Sequence, residues 1–196
     1  MPINSFIEKY DVPNSIIFLG GKREVKQEDK EKLVLLGGEL ARRSKHLIFR
    51  SGNSSGSDFY FAKGVAHIDS SRMEVVIPFN DYRKTLNKAG NTISLDDMDL
   101  SNSLDIISES EKNIKTKKVV KQYFNGERHK YAMFGAFIIR DTVAILGVDP
   151  NVRPANFALF YDDFELPLQG GTGHTMKVCE SAQVPYFTQE EWFSWR

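Results

Sequence analysis

Short apolar runs rich in β-branched residues alternate along this chain with stretches whose leucines return at helical spacing. The first run, Ser15-Ile16-Ile17-Phe18-Leu19, stops at Gly20-Gly21-Lys22-Arg23, the pattern of a buried strand that ends in a flexible turn carrying two cations. Over residues 28–44, Leu33, Leu36, Leu40 and Ala41 share one helical face. Acids crowd the start of that stretch, and Arg42, Arg43 and Lys45 crowd its end, as the helix dipole favours. His46-Leu47-Ile48-Phe49-Arg50 predicts a second strand, which runs into the small-residue turn Ser51-Gly52-Asn53-Ser54-Ser55-Gly56-Ser57-Asp58 and a helix reaching about Ala66; residues 73–79 predict a third strand. Strands alternating with helices imply a parallel sheet with right-handed crossovers, whose ligand crevice lies beyond the carboxyl ends of the strands.

From residue 80 to about 112 the periodicity fades, and this stretch is expected to be an irregular insertion. Residues 91–110 hold five acids and no Lys or Arg, whereas residues 112–130 hold seven Lys or Arg against one acid, Glu127. The abrupt change of sign fits an acidic loop followed by a solvated helix face, or a local basic surface for nucleic acid. Ile114, Val119, Val120, Tyr123 and Phe124 mark the apolar side of one helix, and residues 131–139 suggest another. Thr142-Val143-Ala144-Ile145-Leu146 and residues 156–161 read as two further strands, and Val184-Pro185-Tyr186-Phe187 as a last one. Thr188-Gln189-Glu190-Glu191 has the form of a capping box. It opens a terminal turn whose Trp192, Phe193 and Trp195 serve either the core or a dimer contact. The expected fold is α/β, a mainly parallel Rossmann-like sheet flanked by helices, in a single domain over residues 1–196.

Composition narrows the classes. The 196 residues carry 26 Lys or Arg against 26 Asp or Glu, so no global basic field drives binding to nucleic acid or membrane, and such a partner would need a local patch such as residues 112–130. The lone Cys179 excludes an internal disulfide. The first residues lack the basic-then-apolar pattern of a signal peptide, and no apolar run approaches the ~20 residues of a membrane span. A cytoplasmic location without membrane contact is the expectation. His46, His67 and His129 show no metal-ligand spacing with Cys179, so neither a metal nor another cofactor is expected.

The candidate chemistry gathers at the glycine-rich turns. In Leu168-Gln169-Gly170-Gly171-Thr172-Gly173-His174-Thr175 a predicted strand passes to a predicted helix, and bare backbone N–H groups at a helix start bind phosphate well; the same glycines also suit tight packing. Ser51, Gly52, Ser54, Ser55 and Gly56 offer a second set of donors. Asp58 either caps its helix from Ser55-x-x-Asp58 or contacts a ribose hydroxyl or base. Lys22 and Arg23, after Gly20 and Gly21, either pair with phosphate or stay solvated. Arg140 faces either a ligand or a structural carboxylate such as Asp141 or Asp163, and His174 stands as a proton donor or stacking group.

Two of these stretches carry a family resemblance. Residues 51–58, followed by Ala62 and Gly64-Val65-Ala66, look like the Smf-type turn of the DNA-processing A proteins, and Gly170-Gly171-Thr172-Gly173-His174-Thr175 looks like the Gly-Gly-x-Gly-Thr loop of LOG-type phosphoribohydrolases. Both belong to the SLOG superfamily of Rossmann-like domains. Phe137-Ile138-Ile139-Arg140-Asp141, Leu146-Gly147-Val148-Asp149 and Pro154-Ala155-Asn156-Phe157-Ala158 extend the likeness toward members found in phage genomes. The resemblance implies a nucleotide or nucleotide-derived ligand held between the two loops, sensed or sequestered in a phage or defence setting by a protein expected to be a homo-oligomer. It also implies two alternatives: hydrolysis or transfer at an N-glycosidic bond of a nucleotide, or an accessory role in DNA processing. The hydrolases carry an acid two positions after the loop Thr. With Thr175 in that place Lys177 stands where the acid belongs, leaving Glu180 or Asp58 as the candidate catalytic carboxylate.

Overall fold

A computed structural model describes residues 2–195. Its strands are β1 (Ile16–Gly21), β2 (Ile48–Ser51), β3 (Met73–Ile77), β4 (Asn91–Ser94), β5 (Phe157–Tyr161) and β6 (Tyr186–Thr188). They form one sheet in the order β4-β3-β2-β1-β5-β6, and every pair is parallel. The helices are α1 (Ile3–Tyr10), α2 (Lys30–Arg43), α3 (Ser57–Asp69), α4 (Leu104–Glu111), α5 (Ile114–Phe124), α6 (Met133–Leu146), α7 (Gly170–Ser181) and α8 (Gln189–Trp192). This is the expected Rossmann-like α/β fold. No helix among the described residues is long and apolar enough to cross a membrane.

Successive residues of a strand point to opposite faces, and β1 shows what that does here. Ile17 and Leu19 join Leu33 and Leu40 of α2, Phe61 of α3 and Phe157 in one core layer. Ile16 and Phe18 join Ile139 and Val143 of α6, Phe160 and Met176 of α7 in the other. Burial on both faces explains why the central strands read as unbroken apolar runs. The chain steps outward from β1 to β4, then crosses back through α4, α5 and α6 to lay β5 on the other side of β1. The sheet therefore reverses its winding between β1 and β5, where doubly wound sheets open a crevice.

Two buried details hold these layers. Where α2 meets α3 the backbones touch through glycines: a Cβ on Gly37 would lie 2.5 Å from the Phe61 carbonyl oxygen, and one on Gly64 2.0 Å from that of Val34. Arg50 of β2 is fully buried. Its Nε donates to Glu74 Oε1 at 2.7 Å on the neighbouring strand, and its Nη1 donates to the carbonyls of Ala144 and Arg153 at 3.1 and 2.6 Å. One guanidinium thus ties β2 and β3 to the end of α6 and the approach to β5.

Several expectations need correction. Thr142–Leu146 is the end of α6 and not a strand; residues 142–145 are buried all round, and a helix segment without a polar side cannot be told from a strand by periodicity. The stretch 80–112 contains a strand, β4, and the whole of α4. β4 is an edge strand in which only Ser94 is buried, so its Asn-Thr-Ile-Ser sequence carries no apolar signal. Helix α1 was also outside the expected elements. The terminal aromatics go to the core: Trp192 is buried with Nε1 donating to the Phe160 carbonyl at 3.0 Å, and Phe193 and Trp195 pack against the same layer. Thr188 and Glu191 do form the capping box.

Candidate functional site

A crevice of about 1190 Å³ opens at the carboxyl ends of β1 and β5. Its walls come from the chain after β1 (Gly21 to Lys26), from Ser54 and Asp58 around the start of α3, from Phe137 to Asp141 of α6, from the end of β5, and from the first turn of α7.

The glycines expected to precede α7 form its first turn instead. The helix begins at Gly170, reached through Leu168 with φ 59° and Gly170 itself with φ 62°. Gln169 supplies no side-chain cap, and the first acceptor met inside the helix serves Gly173, whose N–H reaches the Gln169 carbonyl at 3.1 Å. The N–H groups of Gly170, Gly171 and Thr172 are therefore left open toward the crevice, where the helix dipole is positive. The neighbours in this turn have other work. Gly173 packs on the backbone of Leu168, whose carbonyl oxygen lies 2.0 Å from where a Cβ would stand. The Thr175 hydroxyl donates to the Gly171 carbonyl at 2.8 Å. His174 is buried, 3.0 Å from Thr142 Oγ1, which in turn receives the Ser110 hydroxyl at 2.9 Å. Burial pushes the His174 imidazole down to about 4, and the residue does not line the crevice.

The turn after β2 behaves differently from the expected cradle. Asp58 Oδ2 accepts the N–H groups of Gly52 and Ser54, each at 3.1 Å, so a carboxylate of the chain already occupies the donors proposed for an anion. Helix α3 is capped by Gly56, with φ 79°, and no box forms from Ser55. Ser51 Oγ accepts the Asn53 N–H at 3.3 Å. Asn53, held at φ 54°, donates from its side chain to the Tyr82 carbonyl at 3.1 Å. Gly56 lies against the backbone of Arg23, where a Cβ would stand 2.1 Å from the carbonyl oxygen. Of this turn only Ser54 and Asp58 line the crevice; Ser51, Gly52, Ser55 and Gly56 support it from behind.

Arg140 is the central cation. It is 4% exposed, with Nη2 donating to Ser54 Oγ at 3.3 Å and Nη1 3.9 Å from Asp58 Oδ2. Its Nε lies 3.0 Å from Asp141 Oδ1 but without the angle of a hydrogen bond, so Nε and Nη1 both remain unsatisfied. Burial raises the carboxyl of Asp58, and raises that of Asp141 to about 6, against the pull of Arg140 on both. Across the crevice Asp162 Oδ2 accepts the Leu168 N–H at 2.8 Å, while its buried Oδ1 has no partner.

The remaining candidates divide. Lys22 pairs with Asp163, whose carboxyl is held well below its usual range by that hydrogen bond. Arg23 is exposed, with its guanidinium 5.9 Å from the Phe137 ring centre; Arg140 stands 6.0 Å from the same ring. Gly21 lines the crevice, and Gly20 packs on the Phe18 ring. Glu180 is exposed on α7, accepts the Tyr186 hydroxyl at 2.9 Å, and lies outside the crevice. Sequence reasoning missed the aromatic lining of Tyr82, Tyr131, Phe134, Phe137, Tyr161 and Phe164. It read Asp141 only as a partner for Arg140, although a charged pair inside an apolar helix was itself a signal.

Fold and crevice together define a Rossmann-like parallel α/β protein with a polar, aromatic-lined crevice at its topological switch point. No family model and no curated protein matches the chain. Among solved structures it is similar to DNA processing protein A from Helicobacter pylori, a structure described for its single-stranded DNA binding mode. The two are 16% identical over 92% of this chain and 67% of that one, with a TM-score of 0.49.

Proposed function

We propose that the crevice captures a nucleotide or nucleotide-derived molecule, with its phosphate at the first turn of α7 and its base among the aromatic side chains. The observation that carries this reading is the first turn of α7, whose three open N–H groups border the crevice at the positive end of the helix dipole, next to aromatic side chains and the Arg140 guanidinium, whose charge favours an anion there. Tyr82, Phe137 and Phe164 supply ring faces for a base. Five cations and six acids line the crevice, a balance that suits a compact ligand with both acceptors and donors better than the uniform negative charge of a nucleic-acid backbone.

The reading is one of capture, as in sensing or sequestration, because Glu180 lies outside the crevice and Asp58 is engaged by backbone N–H groups. Calorimetry and thermal shift with a panel of nucleoside mono-, di- and cyclic phosphates test it, with released base followed by chromatography. Binding of intact ligand that weakens about 10- to 100-fold in Arg140→Gln is expected, as for a lost charge-assisted hydrogen bond. Full affinity in that variant refutes the site, and base release converts the reading to glycosidic cleavage.

A DNA-contacting role is the second reading. It draws on the exposed Lys115, Lys117 and Lys118 of α5, close in sequence to the exposed Tyr131 and Phe134 at the crevice, since single strands bind cationic grooves with stacking platforms. Retention of single-stranded DNA that falls steeply with salt and weakens when Lys117, Lys118 and Lys121 become Glu would favour it.

A further inference from the structure

Asp141 stands between the two groups that the proposed phosphate needs. On one side its Oδ1 is 3.0 Å from Arg140 Nε. On the other its Oδ2 lies 3.3 Å from the point where a Cβ on Gly171 would stand, against the open first turn of α7. Asp141 is 8% exposed and lines the crevice. It is therefore the chain's own anion at the junction of Arg140 and the helix N-terminus, and a phosphate arriving there meets it at close range.

We infer that Asp141 makes anion binding in this crevice proton-coupled, so that a phosphate-bearing ligand enters together with a proton on the Asp141 carboxyl. This rests on the nucleotide reading and deepens it. A neutral carboxyl at this place removes the repulsion and adds an O–H donor for a phosphoryl oxygen. An ionised one sets like charges together in a partly buried site, where screening is weak. Burial already raises the Asp141 carboxyl to about 6 in the free protein, and a second negative charge moves it further in the same direction.

The other groups around Asp141 are accounted for. Arg140 on its own helix and Arg23 after β1 pull its carboxyl down, and Asp141 in turn raises that of Asp58 on α3. Lys115 of α5 and the Lys22–Asp163 pair line the same crevice. His174 of α7 is pushed down to about 4 and is bonded to Thr142, so it stays neutral from pH 5.5 to 8. Asp141 is the group expected to change charge in that window.

The test is calorimetry on the full chain from pH 5.5 to 8 with nucleoside 5′-monophosphates and a 3′,5′-cyclic monophosphate. The cyclic diester keeps one charge throughout, so any proton taken up with it comes to the protein. Affinity for the cyclic probe should fall above about pH 6, approaching tenfold per unit. The apparent enthalpy should differ between buffers of different ionisation enthalpy, reporting proton uptake. In Asp141→Asn, checked for wild-type unfolding behaviour, affinity should be flat with pH and tighter than wild type at pH 8; Asp141→Ser provides a second charge-free variant. Binding by wild type that is independent of pH and of buffer overturns the inference while leaving the nucleotide reading intact. Absence of binding for every probe in wild type and both variants overturns the two together.

Discussion

Two glycines at the α2–α3 crossing predict opposite outcomes for the same substitution. In Gly64→Ala the new methyl would stand 2.0 Å from the Val34 carbonyl oxygen and 2.9 Å from the Gly38 nitrogen, both backbone atoms, against the 3.4 Å where ordinary contact begins. No rotamer relieves that overlap, so the helices must part. Overpacking of this kind costs about 1–3 kcal/mol, offset by the ~0.5–1 kcal/mol that alanine gains over glycine inside a helix. The net is a loss of about 1–2 kcal/mol by the central values of those ranges. Gly38→Ala, on the facing helix, meets nothing closer than the Gly64 carbonyl oxygen at 3.5 Å. It should keep the propensity gain and stabilise by ~0.5–1 kcal/mol. For a chain of this length each kcal/mol moves the midpoint by roughly 2–4 °C. Thermal unfolding should therefore rank Gly38→Ala above wild type and Gly64→Ala below it. A Gly64→Ala protein as stable as wild type, or a Gly38→Ala protein destabilised alongside it, would refute backbone contact as the reason for these glycines.

Two further perturbations test buried charge. Arg50→Met strands Glu74 without its partner in the interior and should cost about 3–5 kcal/mol in urea unfolding, with most of the loss recovered when Glu74→Met is added; a single variant of wild-type stability contradicts the pairing. His174, lowered to about 4 from 6.5 by burial, is protonated first in the unfolded chain. The stability it preserves above pH 6.5 is therefore lost as pH falls toward 4, by up to about 3 kcal/mol. Asp141, raised to about 6, acts with the opposite sign between about pH 4 and 6, so the test is the difference between wild type and His174→Gln at pH 7 and at pH 4.5. An equal difference at both refutes the assignment.

The parts of the fold that could be read from the sequence are those whose burial is simple. β1, β2, β3 and β5 are covered on both faces and show as apolar runs; α2 has one buried side and shows its period. Where burial departs from those two cases the reading failed. Thr142–Leu146 is a helix end enclosed on every side, and β4 is an edge strand whose side chains mostly face outward. The site follows the same division. That Gly-rich turns collect at one edge of a parallel sheet is a consequence of topology and was legible. That Lys22 would be taken up by Asp163, 141 residues away in sequence, depends on β1 and β5 being neighbours, and no local pattern contains it.

The larger departure concerns which turn is left open to an anion. Both glycine turns present backbone N–H groups, and from composition they are equivalent. They differ in what lies one helical turn downstream. After the turn following β2 comes Asp58, close enough for its carboxylate to fold back and accept the Gly52 and Ser54 N–H groups, as an acid near a helix start tends to do. After the first turn of α7 come Gly173, His174 and Thr175, a packing residue, a neutral imidazole turned toward α6, and a hydroxyl returned to its own helix. Nothing there folds back. The turn after β2 is consequently closed by its own carboxylate and that of α7 left open, with Arg140 between them set against Asp141 and Asp58. One guanidinium facing Asp58 and Asp141 is outnumbered when both carboxyls are ionised. On the proposed reading the charge that accepts a phosphate has to come from the helix terminus and from a proton on one of the acids, and Asp141 is the acid that borders the open turn.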